Sequence, residues 1–260
     1  MAEEVLCEVD GAVARVTVNR PERRNALRWD TVRELRQVLG RAGADAGVRV
    51  VVLAGAGDRA FCAGADLAGM AAAGDVAEAH ADRGELGGLF LDLWELGKPT
   101  VARVQGAALA GGFALALACD LVVAADDAFF GVPEIDVGLW PYVATVPLIR
   151  SMPPKVALEL MMTGRRVGAA EAERIGFVNR VVPAADLDGA VAELTATLAA
   201  KPPGPMRTGR DSFYATWGMG AREALAVLHP LLTMAGLTEE AREGTAAFAE
   251  KRPPSWRDPR

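Results

Sequence analysis

The sequence predicts an α/β fold followed by a helical tail, and three observations carry that expectation. Short β-branched runs alternate with stretches of helical period over residues 1–200. One run, residues 48–54, is apolar without alternation, the pattern of a strand buried on both faces of a parallel sheet. Beyond Lys201-Pro202-Pro203-Gly204-Pro205, the strongest linker signal in the chain, only helical patterns remain. Residues 1–200 are therefore expected to form the body, and residues 201–260 a helical appendage.

The elements follow in order. Residues 5–9 and 12–18 alternate around Asp10-Gly11, a dipeptide suited to a hairpin turn. Pro21 stops the second strand, and Arg20, Arg23 and Arg24 make the next loop basic; it reads as a solvated turn or as a loop facing phosphate. Residues 30–39 place Val32, Leu35, Val38 and Leu39 on one helical face, capped by Asp30 or Thr31. After strand 48–54, Gly55, Gly57 and Ala60 match the outline of a dinucleotide fingerprint. No helical pattern opens at the second glycine, and no second strand ends in an acid about 20 residues on, so that reading is rejected. Phe61-Cys62-Ala63-Gly64-Ala65-Asp66-Leu67 reads instead as a loop of small residues that backbone and ligand can share closely. Residues 76–96 form a helical pattern interrupted by Gly84, Gly87 and Gly88, expected to act as a mobile lid; Thr100–Val104 returns as a strand.

Gly111 and Gly112 then open an uncharged segment that reads as a buried helix ending at Asp120. A helix starting on glycines presents bare N–H groups at its positive end, where an anion or an oxygen becoming one can approach. Tight helix packing is the alternative reading of the same glycines. Short strands are expected at 121–124 and 128–132, and a loop bounded by Pro133 and Pro141 sets Glu134 and Asp136 among apolar residues. A carboxylate desolvated in that way has a raised pKa suited to moving protons near neutrality, unless it faces solvent or caps a helix. Helices at 143–150, 154–162 and Ala169–Ile175, a strand at 178–182 and a helix at 186–199 complete the body. The tail is expected as helices at 206–218, 222–236 and 239–251, packing on the body or on a neighbouring subunit.

Composition narrows the function. The chain has 260 residues, 51% of them hydrophobic and 24% charged, with a net charge of −6, which argues against nucleic acid or an anionic membrane as partner. The longest uncharged run, 104–119, is short of a membrane span and rich in glycine. Three cysteines, Cys7, Cys62 and Cys119, form no disulfide framework or zinc pattern and fit a reducing cytoplasm, as does an acidic start without a signal-peptide pattern. With only His80 and His229, no G-x-S-x-G elbow, no metal spacing and no Walker lysine, the available chemistry is two glycine-bearing loops and an acidic loop. Two converging N–H donors and one carboxylate suffice for enolate chemistry on a thioester.

The ordered set of motifs resembles the enoyl-CoA hydratase/isomerase (crotonase) superfamily. It runs from Asn19-Arg20-Pro21 and Asn25-Ala26-Leu27 through Phe61–67, Gly106, Ala110-Gly111-Gly112, Cys119-Asp120 and Phe130-Gly131-Val132-Pro133-Glu134. It continues through Leu160–Gly164, Gly176–Val182 and Glu243–252, nearly the whole chain. The resemblance implies a crotonase-like spiral of ββα repeats with a C-terminal helical trimerisation region, a homotrimer or dimer of trimers, and an acyl-CoA substrate with no separate cofactor. It implies oxyanion N–H groups at Ala65 and Gly111 and a catalytic glutamate at Glu134. Around the CoA and thioester it implies Arg24, Asn25, Ala26, Leu27, Ala63, Ala65, Asp66, Leu67, Ala68 and Gly111, with Phe248 and Lys251 reaching a neighbour's CoA. Ala114 departs from it, standing where hydratases of this type carry a second glutamate, and the segment Leu139-Trp140-Pro141-Tyr142-Val143 replaces a glycine-rich continuation. Enoyl-CoA isomerisation by a single base is therefore expected over efficient hydration, with a weakly catalytic acyl-CoA binding protein or a decarboxylase-type member as alternatives.

Overall fold

A computed structural model describes residues 3–66 and 75–257; the expected ligand-lining positions Leu67 and Ala68 lie outside the described residues. The body repeats one unit, two strands then a helix. The first is β1 (Val5–Asp10), β2 (Val13–Val18) and α1 (Trp29–Ala44). The second is β3 (Val50–Gly55), β4 (Ala60–Cys62) and α2 (Val76–Trp94), and the third is β5 (Thr100–Val104), β6 (Ala107–Leu109) and α3 (Gly111–Ala118). The fourth is β7 (Leu121–Ala125), β8 (Phe129–Gly131), a 3-10 turn at Pro133–Val137 and α4 (Thr145–Ser151).

From the second unit on, the longer strand of each pair joins one sheet and the shorter joins another. The first sheet has the order β1-β2-β3-β5-β7-β10, where β10 is Arg180–Val182, and all its pairs beyond the initial hairpin are parallel. The second has the order β4-β6-β8-β9, where β9 is Val167–Gly168; its first three strands are parallel. Helices α5 (Pro154–Thr163), α6 (Ala169–Ile175) and α7 (Leu187–Ala199) finish the body, and α8 (Pro203–Thr216), α9 (Ala221–Ala235) and α10 (Glu239–Glu250) form the tail.

The β-branched residues of β3 and β5 are buried on both faces, as a parallel central strand requires. On α3, Phe113 meets Phe130 of β8 and Phe177, with ring centroids 5.2–5.3 Å apart. That cluster fixes the glycine-led helix against the strand leading to Glu134.

Three expectations need correction. The stretch from Phe61 is not wholly a loop, because Ala60–Cys62 pairs with β6, itself unanticipated. Residues 76–96 are not a helix broken by glycines: α2 is continuous, and an added Cβ on Gly88 would lie 2.7 Å from Cζ of Arg36 on α1. The glycine there permits close helix packing. The proline-rich linker is mostly helix, since Pro203 opens the first turn of α8, where its missing N–H costs nothing.

Candidate active site

The site forms at one edge of the small sheet. Strands β4, β6 and β8 are adjacent and parallel, so their carboxyl ends lie together. Ala65 follows the end of β4 by three residues, Gly111 follows β6 by two, and Glu134 follows β8 by three. The topology thus delivers all three residues to one edge. Loops beyond the carboxyl ends of parallel strands are where ligands bind in open α/β sheets.

The Ala65 loop is held by a short ladder to the loop after β2. Ala63 N donates to Arg24 O (3.0 Å), Leu27 N to Gly64 O (2.8 Å) and Asp66 N to Leu27 O (2.8 Å). In this parallel bridge the neighbours of Ala65 make the bonds to Leu27, so the N–H of Ala65 itself points away from the ladder. It points from an exposed residue.

The start of α3 is pressed against the same loop. An added Cβ at Gly112 would lie 2.2 Å from Cys62 O, and one at Gly64 would lie 3.3 Å from Gly111 N. Only glycine lets the two segments approach so closely. Just before Gly111, Ala110 has φ 52° and ψ −128°, a conformation L-residues rarely adopt. It is locked by the bond from Ala110 N to Gly131 O (2.8 Å) and turns the next peptide into the helix start. Strain of this kind costs about 1–3 kcal/mol and persists where the surroundings impose it. Leu86 of α2 covers the spot, its Cδ2 3.3 Å from where a Gly111 Cβ would be.

Glu134 lies in the 3-10 turn, and its Oε2 is buried without a hydrogen-bond partner among the described residues. Burial pushes its carboxyl above the ordinary value, only partly offset by its own backbone N–H. Asp136, the other acid of the turn, is exposed and packs against Gly164, so the two carboxylates expected together have separate environments. Ala114 is fully buried in the core on α3.

The basic loop divides. Arg24 is exposed at φ 52°, whereas Asn25, Ala26 and Leu27 are buried. The Asn25 side chain is committed to main chain: Nδ2 donates to Ala56 O (3.0 Å) and Ala60 O (2.8 Å), and Oδ1 accepts from Arg20 N (3.0 Å). Arg20 is buried and ion-paired, which removes it from a phosphate-facing role. Phe248 (88% exposed) and Lys251 lie on the tail. Sequence reasoning read Arg20 only as part of a basic loop, not as a buried ion-paired residue, and missed Leu86 and the strain at Ala110. A basic residue two positions after an alternating strand was the one available signal for the burial of Arg20.

Four ββα units, three of which send a short strand to a second sheet whose carboxyl ends lead to Ala65, Gly111 and the desolvated Glu134, define a crotonase-fold enzyme. The family model for enoyl-CoA hydratase/isomerase matches residues 8–259. A carnitinyl-CoA dehydratase of Proteus mirabilis is 36% identical over 265 residues, covering 99% of both chains. A putative enoyl-CoA hydratase of Thermus thermophilus is 39% identical over 248 residues, covering 95% of this chain and 98% of the relative. Among solved structures, an enoyl-CoA hydratase of Mycobacterium smegmatis superposes with a TM-score of 0.94 at 35% identity, covering 98% and 99% of the two chains. The chain belongs to the enoyl-CoA hydratase/isomerase family.

Proposed function

We propose that the protein binds an acyl-CoA thioester, holds its carbonyl oxygen between the N–H groups of Ala65 and Gly111, and uses Glu134 as the one acid/base. The donors strengthen as the oxygen gains enolate charge; losing one such donor costs about 2.7–4 kcal/mol of transition-state stabilisation. Glu134 removes a proton from C2 of a 3-enoyl thioester and returns it at C4, leaving the double bond at C2–C3. The observation that carries this reading is a carboxylate oxygen buried without a hydrogen-bond partner among the described residues, at the edge where the two glycine-bearing loops meet. Ala114 offers a methyl group where water addition would need a second carboxylate, which favours isomerisation over hydration.

The main chain of Arg24–27, Ala63, Ala65, Asp66 and Gly111 would line the thioester and pantetheine, with the exposed Arg24 near phosphate. By the resemblance, Leu67 and Ala68 extend that lining. Phe248 and Lys251 would serve a neighbour's site in a trimer or dimer of trimers, consistent with the exposed apolar residues Leu225, Leu232 and Met234 of α9. No cofactor beyond the CoA of the substrate is required, and the setting is cytoplasmic. No described helix is long and apolar enough to cross a membrane.

Hydration is the second reading, favoured by the hydratase and dehydratase names of the relatives. Assay of Glu134→Gln on 2-enoyl and 3-enoyl thioesters tests the assignment. Turnover should fall by roughly 10²–10⁴-fold, the usual contribution of general acid–base catalysis. Unchanged turnover would remove Glu134 from the mechanism. Binding of acyl-CoA by the wild type without conversion of either substrate would leave an acyl-CoA binding protein, and release of carbon dioxide from a malonyl-type thioester would indicate a decarboxylase.

A further inference from the structure

Resting on that reading of the site, we propose that Arg20 is a positioning residue for catalysis, setting the direction of the Ala65 N–H by clamping both strands of the ladder that holds it. Its side chain is only 9% exposed. Nη1 donates to the carbonyl of Ala26, Nη2 donates to Oδ2 of Asp66 at 3.0 Å, and Nε lies 3.2 Å from Oε1 of Glu4. Glu4 is fixed in turn by Arg28 Nη2 and Thr31 Oγ1, each at 2.5 Å. One guanidinium therefore grips the residue before Leu27 on one strand and the residue after Ala65 on the other.

The N–H of Ala65 lies antiparallel to the Gly64 carbonyl in one planar peptide, and that carbonyl accepts from Leu27 N while Asp66 N donates to Leu27 O, so the ladder sets the direction of the N–H. Arg20, bonded to Ala26 O on one side of the ladder and to the Asp66 side chain on the other, holds the two strands in register and with them that N–H. Replacing a buried ion pair with apolar groups is often neutral for stability, so a pair kept this close to the donor is better explained by geometry than by folding energy. Arginine suits the task because its planar fork reaches three acceptors at fixed angles, which a lysine ammonium cannot. Misplacement by about 1 Å can cost roughly a hundredfold in rate.

The test is infrared difference spectroscopy of butyryl-CoA labelled with carbon-13 at the carbonyl, a thioester that binds without reacting. It is paired with turnover of a 3-enoyl-CoA and with the butyryl-CoA affinity. The wild type should shift the carbonyl stretch to lower frequency. Arg20→Met and Asp66→Asn should each lose most of that shift and about tenfold or more in kcat, with affinity changed by less than about threefold. Arg20→Lys, which keeps the charge, should recover only part of the shift. Folded, ligand-binding variants with an undiminished shift would overturn the proposal, as would failure of all three to fold, which would make the role one of folding alone. A wild type that shifts the carbonyl but converts no enoyl-CoA would refute the proposed reaction while leaving Arg20 testable by the shift. A wild type without the shift would refute both.

Discussion

Withdrawing a carboxylate from water favours its protonated form, and burial raises the pKa of Glu134 in this way, only partly offset by its own backbone N–H. Its pKa in the folded chain is raised above the unfolded value. The native state therefore holds the extra proton between those two values, and stability is lost as pH rises through that window. Glu134→Gln should consequently raise the melting temperature at pH 7, and the gain should vanish below the unfolded glutamate pKa; calorimetry at both pH values checks this. The acid limb of kcat/KM should lie above the ordinary glutamate range and report the same group. Glu134 was legible in the sequence because apolar neighbours and two prolines framed it. Asp136 shared that frame yet is exposed, since with three residues per turn side chains two positions apart leave a 3-10 turn in different directions. The positive φ of Ala110 was illegible, because alanine carries no sign of a conformation its neighbours impose.

Among the elements, the long strands and the helices could be read from their periods, and Thr100–Val104 and Ala169–Ile175 fall where those periods place them. The short strands β4 and β6, three residues each, could not be read, since three residues do not establish a period and their pairing is with distant segments. The glycines of α2 misled for a related reason. Glycine marks a hinge or a close approach equally well in sequence, and only the partner decides. Here the partner is Arg36, which bonds Asp92 and Glu85 of α2 at 2.6 Å and lies against Gly88. Gly88→Leu should displace that guanidinium and break its ion pairs to Asp92 and Glu85, while leucine's better helix propensity offsets part of the loss, so that urea denaturation should show a net change within about 1 kcal/mol. Because Leu86 of the same helix covers Gly111, kcat should fall in the same variant.

At the scale of the whole molecule, the tail divides into a docked helix and exposed ones. Asp120, at the end of the glycine-led segment, accepts from Thr100 N (2.7 Å), Thr100 Oγ1 (3.0 Å), Arg210 Nε (2.8 Å) and Tyr214 OH (2.5 Å). Arg210 also donates to Leu93 O and to Trp94 O (2.8 Å), the last carbonyls of α2. One ion pair thus ties α8 to both helices that border the site. Removing one partner of such a buried pair costs about 3–5 kcal/mol, so Arg210→Met should lower the melting temperature sharply. In contrast, α9 buries none of its residues within this chain. Sedimentation should give three or six times the 27.3 kDa of one chain, and a stable monomer would contradict the proposed assembly.

Catalysis as proposed rests on two amides from separate loops sharing one oxygen. A crystal structure with butyryl-CoA bound tests that most directly. The thioester oxygen should sit about 2.7–3.1 Å from both Ala65 N and Gly111 N, with the Glu134 carboxylate facing C2. A carbonyl held by other groups, or two amides too far apart to share it, would contradict the account.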